Sequence, residues 1–199
     1  ILVTEYSYDA LGRVTAIRSD SKVITEYSYH DITNTVTILN RTGPSAAGEQ
    51  RIEKYDWNGR LVELKERRTT TSSSNYDVSR YIYDSVGNLI EFINAEDKSF
   101  KYRYSTTGNL EKVIYPDNST EQFWYNIIGN ITKKQNRDGS ELNYSYNEIN
   151  QIERVASSGN LEYLKTFEYN LFGMLERAVT VELGLVQSDY QYEVNGRGL

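Results

Sequence analysis

One motif, Y-x-Y-[D/N]-x-x-G-x-[L/I/V], recurs along the whole chain, and its spacing limits what the chain can fold into. Anchored on its second aromatic, the copies fall at Tyr8, Tyr29, Tyr55, Tyr83, Tyr104, Tyr125, Tyr146, Tyr169 and Tyr192. The intervals are 21, 26, 28, 21, 21, 21, 23 and 23 residues. Three equal intervals in succession mark a structural repeat of about 21 residues.

The two rings of each motif sit two residues apart. Residues i and i+2 share one face of a strand, whereas on a helix they would diverge by about 200°. Phe100, Tyr102 and Tyr104 therefore face one way, and Lys101 and Arg103 the other. The next four residues read as a turn. Asp or Asn at its start bonds its own downstream backbone, and Gly at its fourth position takes a left-handed conformation that forms a bulge. The motif positions are Tyr8, Asp9 and Gly12; Tyr55, Asp56 and Gly59; Tyr83, Asp84 and Gly87; Tyr104 and Gly108; Tyr125 and Gly129; Tyr146 and Asn150; Tyr169 and Gly173. Asn150 and Asn34 replace the glycine, as a left-handed position allows, and Ser105 replaces the acid. In the second copy His30 is an extra residue, which predicts a surface bulge there.

Second turns are expected at Pro116–Ser119, Arg137–Ser140 and Glu96–Lys98. Each repeat is then two antiparallel strands and two turns. In the second strand Leu110 and Val113, like Leu61 and Leu64, are three apart. Either a bulge or a strand apolar on both faces accounts for that. Small-residue insertions near 42–50 and 67–79 stretch the middle of the array. The domain reading is one array of about nine repeats over 1–199, a fragment of a longer chain because it opens at Ile1 inside a repeat.

Hydrophobic residues make up only 38% of the 199, while Tyr contributes 18 residues. Burial must rely on amphipathic rings, which suits a one-layer sheet with rings from the second strands filling the gaps between motifs. The chain has no Cys, which excludes disulfides and thiolate chemistry. No run of 18 apolar residues is present to span a membrane as a helix. A net charge of -6 argues against nucleic acid as the main partner.

Chemistry-bearing clusters are sparse. The recurrent turn acids suggest a metal array, but interchange with Asn and Ser points to turn chemistry. His30 is the only histidine, and Glu53, Glu63 and Glu66 occupy ordinary strand positions. No catalytic, metal or cofactor site is expected, and an enzyme is the least favoured class.

The motifs Tyr6-Ser7-Tyr8-Asp9 with Gly12-Arg13-Val14, Tyr55-Asp56 with Gly59-Arg60-Leu61, and Tyr81-Ile82-Tyr83-Asp84 with Gly87-Asn88-Leu89 resemble the YD repeats of the Rhs family. That family includes bacterial polymorphic toxins, shell subunits of insecticidal toxin complexes, wall-associated proteins and teneurins. The resemblance implies an all-β fold: antiparallel hairpin repeats forming a curved, spiralling single-layer sheet, part of a hollow shell. In the toxin branches such a shell encloses and shields a C-terminal toxic domain for delivery. The segment that carries self-cleavage there has no counterpart in this sequence, so no catalytic residue carries over. About 18 strands at roughly 4.8 Å would close a ring only about 27 Å across, too narrow for a folded domain about 34 Å wide. The chain is then about one turn of a wall.

The implied partners are the remainder of its own shell and an enclosed toxic domain, with a secretion-system component or a cell-surface glycan as further candidates. The parent protein is expected to be secreted or cell-surface. As a fragment, the chain is expected to self-associate through its edge strands. Two alternatives stand beside the shell: a teneurin-like adhesion module, and a carbohydrate- or wall-binding module similar to choline-binding repeats. Trp57 and Trp124 lie at non-equivalent repeat positions, which weakens the latter.

Overall fold

A computed structural model describes residues 3–20, 22–41, 49–67, 76–158 and 163–192. Most of both expected insertions, residues 42–48 and 68–75, lies outside the described residues, as does the Gly196–Leu199 end of the last copy. The described residues form 17 strands and no helix. The chain divides into two compact units, Ile1–Phe100 and Lys101–Leu199.

The first unit runs through β1 (Thr4–Tyr8), β2 (Val14–Ser19), β3 (Lys22–His30), β4 (Thr35–Asn40), β5 (Glu49–Tyr55), β6 (Leu61–Arg67), β7 (Tyr76–Tyr83) and β8 (Leu89–Ile93). The boundary falls within β9 (Ser99–Tyr104). The second unit continues through β10 (Leu110–Ile114), β11 (Thr120–Tyr125), β12 (Ile131–Gln135), β13 (Glu141–Tyr146), β14 (Ile152–Ser158), β15 (Tyr163–Tyr169), β16 (Leu175–Glu182) and β17 (Leu185–Gln191). Each unit is an antiparallel meander in which consecutive strands pair. Within a unit, strands pack only on their sequence neighbours, so the sheet is a single layer.

A single layer has no interior. Among the described residues only Ala16, Leu64, Val113 and Ala178 are buried hydrophobics, and no polar residue is buried as a whole. The first ring of most motifs stands opposite an aliphatic residue of the second strand, as Tyr6 with Ile17, Tyr102 with Val113 and Tyr144 with Val155, whereas Phe123 stands opposite Lys134. Filling of the gaps by rings is therefore confined. Phe92 does it, 5.1 Å from the Tyr81 centroid and 5.8 Å from that of Phe100.

The question of the second strand resolves as a bulge. In β9–β10, Leu110 pairs with Tyr104 and Lys112 with Arg103, so Glu111 is the extra residue. The shift returns Leu110 and Val113 to one face, the face of the rings. The same shift occurs at Tyr8, Tyr55, Tyr83, Tyr125, Tyr146 and Tyr169. The β3–β4 hairpin is different. His30 pairs with Thr35 in an unbroken ladder, so the bulge expected there is absent. The extra residue lengthens the loop to four residues and restores the register.

The second turns begin one or two residues earlier than the sequence suggests. Tyr115 N–H donates to Ser119 O and Asn118 N–H to Tyr115 O; Asn136 and Ser140 repeat this, as do Asn94 and Lys98. Both ends of a repeat thus use one backbone device. The left-handed residue at the second end is Asp97, Asn118 or Gly139, with φ of 55°, 65° and 84°.

Candidate functional site

The motif residues converge on one feature, the hairpin turn that follows each tyrosine pair. In the first copy Asp9 N–H donates to Arg13 O and Gly12 N–H to Asp9 O. Asp9 Oδ1 accepts the N–H groups of Leu11 and Arg13, both at 2.9 Å. Asp56 and Asp84 do the same for Asn58 and Arg60, and for Val86 and Asn88. Asn126, Asn147 and Asn170 repeat it with an amide oxygen, and Ser105 with a hydroxyl. The fourth position is left-handed in every one of these copies. Gly12, Gly59, Gly87, Gly108, Gly129 and Gly173 have φ between 76° and 102°, and Asn150 has 66°. Asn34 also has positive φ, 51°, in the longer β3–β4 loop.

The second tyrosine does more than pack. Its hydroxyl donates to the carbonyl of the residue that follows the turn in the preceding repeat. Tyr29 reaches Val14 O at 2.9 Å, Tyr83 reaches Leu61 O at 2.9 Å, and Tyr125 reaches Leu110 O at 2.6 Å. Tyr146 reaches Ile131 O at 2.7 Å and Tyr169 reaches Ile152 O at 2.8 Å. The bulge explains the need. The ladder from β10 to the next hairpin starts only at Lys112, and that from β12 only at Lys133. The carbonyls of Leu110 and Ile131 fall outside those ladders and would lack a donor without the tyrosine. Each hairpin is thus stitched to the one before it. Desolvation raises the phenol pKa of Tyr83, Tyr125 and Tyr146 above the ordinary value, which keeps the donors protonated.

Tyr55 departs from this pattern because the hairpin before it is the unbulged one. Its hydroxyl turns to Glu53, which replaces the first ring of that motif and is also paired with Arg51 at 2.7 Å. Burial, then the Glu53 carboxylate, pushes the Tyr55 phenol up to about 12. Asn34 makes the joint instead, its amide donating to Tyr55 O at 3.1 Å and Asp56 O at 2.7 Å.

The residue after the left-handed position is a contributor that sequence reasoning missed. Arg13 binds Asp9 of its own turn at 2.7 Å and Asp31 of the next repeat at 2.6 Å, and lies 4.2 Å over the Tyr29 ring. Arg60 binds Asp56 at 2.7 Å, donates to Asp84 O at 3.3 Å and lies 4.8 Å over Tyr83. Gln151 plays the same part, donating to Gly173 O at 2.6 Å. The pattern G-R, at Gly12-Arg13 and Gly59-Arg60 and again at Gly196-Arg197, was the available signal. The backbone N–H of Arg13 does most to hold Asp9 below the ordinary carboxylate pKa, and its guanidinium adds to this; Arg60 does the same for Asp56. At Asp84 desolvation opposes the shift, but the Asn88 backbone and amide outweigh it and the pKa is again lowered.

The two central residues of these turns point outward and are often apolar. Trp57 is 89% exposed, Ile127 and Leu171 103%, and Phe172 86%. His30 is exposed at the end of β3. Glu63 is paired with Lys65 at 3.0 Å. Among the described residues no group of three or more His, Asp or Glu side chains is placed to hold a metal ion.

Turn, bulge and tyrosine stitch define a structural repeat unit. Residues 49–199 match the teneurin YD-shell family. The chain belongs to that family. Among solved structures, a chain of the TcdB2-TccC3-TEV crystal structure superposes with a TM-score of 0.57 at 11% identity, over 89% of this chain and 11% of that one. A Tc holotoxin pore from Photorhabdus luminescens, with a TccC3 point mutation, gives 0.59 at 13% identity, over 90% of this chain and 10% of that one. The TcdB2-TccC3-Cdc42 crystal structure gives 0.53 at 13% identity, over 95% of this chain and 14% of that one. At such identities the likeness is one of fold. The chain spans between a tenth and a seventh of the length of these neighbours. No curated protein matches it.

Proposed function

We propose that the chain is a stretch of the wall of an Rhs-type toxin shell, which encloses and shields a toxic domain until delivery. The observation that carries this is the hairpin-to-hairpin stitch, Tyr125 to Leu110 O and its equivalents. A one-layer sheet gains little from burial, so a stitch at each repeat is what lets it persist as a barrier. Membership of the YD-shell family and the likeness to Tc toxin structures support the reading. The wall acts by exclusion and no residue in it performs chemistry. Its partners are the rest of the shell and the enclosed domain, and the parent protein is exported.

Proteolysis of the full-length parent, with and without these repeats, tests this. The enclosed domain should be cut far faster when the repeats are deleted; equal rates would sink the reading. A second reading, an adhesion module, is favoured by the teneurin description of the matched family. A parent whose flanking region binds a cell-surface partner and carries no toxic domain would select it.

Separated from its wall, the chain presents Tyr6 and Tyr8 on β1 at 53% and 60% exposure, and Tyr190 and Tyr192 at its other end at 61% and 47%. Copies should associate through these terminal strands, and a monodisperse monomer by light scattering at micromolar concentration would count against it.

A further inference from the structure

Arg103 on β9 and Lys112 on β10 are direct cross-strand partners. Like charges placed opposite one another destabilise a sheet. Among the described residues neither side chain has an ion pair. Arg13, Arg60, Arg137 and Arg177, by contrast, each hold a carboxylate. The unpaired cations line an open groove of about 360 Å³ with Glu111, Gln122, Phe123 and Trp124. Lys101 follows on the Arg103 face of β9, so the single carboxylate of Glu111 leaves the site net positive.

The rest of the groove offers one apolar and one amide group. Trp124 is 40% exposed. The Lys133 ammonium sits 4.9 Å from its ring centroid and is held there by Glu141 at 2.7 Å. Lys133 is the β12 partner of Trp124, so the β12 side of the indole is covered and the side toward β10 borders the groove. Gln122 is the cross-strand partner of Lys112, and its amide donates to Gln135 at 3.2 Å, which leaves its side-chain oxygen as an acceptor. Trp124 lies two residues beyond Gln122 on β11. From Lys112 to the indole is therefore one strand spacing across and two residues along, roughly 8 Å. Side chains two apart on an extended peptide are separated by about 7 Å.

We propose that this groove binds a short extended peptide segment that sets a carboxylate between Arg103 and Lys112 and, two residues along, an apolar side chain against Trp124. Gln122 Oε1 accepts a backbone N–H of the segment between those anchors. The carboxylate turns the opposed cations from a repulsive pair into a bridged one, and a charge-assisted contact of this kind outlasts an exposed pair in water. An acidic saccharide offers the same anion to the cation pair and is the competing ligand that the test separates.

The test uses the whole chain with Trp57→Phe, which leaves Trp124 as the sole indole. The probes are acetyl-Asp-Gly-Phe-amide, its Asn-Gly-Phe counterpart and trigalacturonate. The Asp peptide should change Trp124 emission saturably, at least about tenfold more tightly than the Asn peptide, and more weakly as salt rises. Arg103→Gln with Lys112→Gln should abolish that preference without lowering the melting temperature, because removal of a like-charge pair does not weaken the sheet. The indole N–H resonance of Trp124 in the unsubstituted chain gives the same readout without any substitution. Equal titration by the two peptides, saturation by trigalacturonate alone, or a preference that survives the double substitution would each overturn the proposal.

Discussion

The motif edges of the two units share one backbone turn and differ in its chemistry. In residues 1–100 the turn opens with Asp9, Asp56 and Asp84; in residues 101–199 it opens with Ser105, Asn126, Asn147 and Asn170. Every one of these groups accepts the same two backbone N–H groups through one oxygen. The turn therefore requires an acceptor and has no need of a charge. What the carboxylate adds is a second oxygen, which takes the side chain four residues on: Arg13, Arg60 or Asn88. An Asn has an NH₂ group there. Gln151 meets it with its oxygen at 3.1 Å, whereas Asn130 Nδ2 is buried with no partner. Residues 101–199 place an arginine staple at the opposite edge instead, where Arg137 binds Asp117 and lies 4.2 Å over Tyr115.

A shared backbone predicts equal damage from a backbone lesion. Gly59→Val and Gly129→Val each force a β-branched residue to φ near 77° and 91°. Each should cost about 2 kcal/mol, read as a drop in urea midpoint at constant slope. Tolerance of one and not the other would break the equivalence of the two edges. Next in size is the stitch. Tyr83→Phe and Tyr146→Phe strip the donor from Leu61 O and Ile131 O, and each should cost about 1–1.5 kcal/mol. Tyr8→Phe is the control: the ring is 60% exposed, and its loss of the hydroxyl should leave the midpoint unmoved.

Much of this was legible in advance because it is local. Alternation of Phe100, Tyr102 and Tyr104 sets the strand, and D-x-x-G sets the turn, with no information needed from elsewhere in the chain. The position of the second turns was less legible. Tyr115 opens one of them through its backbone alone, and Pro116-Asp117 draws attention one residue too late. The stitch was hidden for another reason. A tyrosine in a strand pattern states its face, but the acceptor of its hydroxyl depends on where the neighbouring ladder stops, and that follows from a bulge 15 to 22 residues earlier. The groove beside Trp124 was equally hidden, because Arg103 and Lys112 become neighbours only once the bulge at Glu111 fixes the register.

The orphaned amide gives a sharper comparison. Asn126→Asp would place a second acceptor beside Asn130, reproducing the Asp84–Asn88 pair at 3.0 Å. It should stabilise the chain by about 0.5–1 kcal/mol at pH 7. Asp84→Asn should lower the urea midpoint by the reverse change. If both substitutions move the midpoint in the same direction, the second oxygen is not what separates the two edges.

Acid titration should produce the smallest effect and the most local one. Asp9, Asp56 and Asp84 have pKa values below 3.8, so their folded forms bind protons less readily than the unfolded chain does. Their contribution is fully present above the unfolded value and is lost as pH falls through the lowered folded value. The amide resonances of Arg13, Arg60 and Asn88, which donate to those carboxylates, should shift along one titration that ends below pH 3.8. Those of Asn130, Gln151 and Met174 donate to neutral amides and should stay flat over the same range. Installing Asn126→Asp should convert the Asn130 resonance from flat to titrating while Gln151 and Met174 remain unchanged. A titrating Gln151 amide in the unsubstituted chain would show that the amide turns sense a carboxylate elsewhere and that the contrast does not lie in the turn itself.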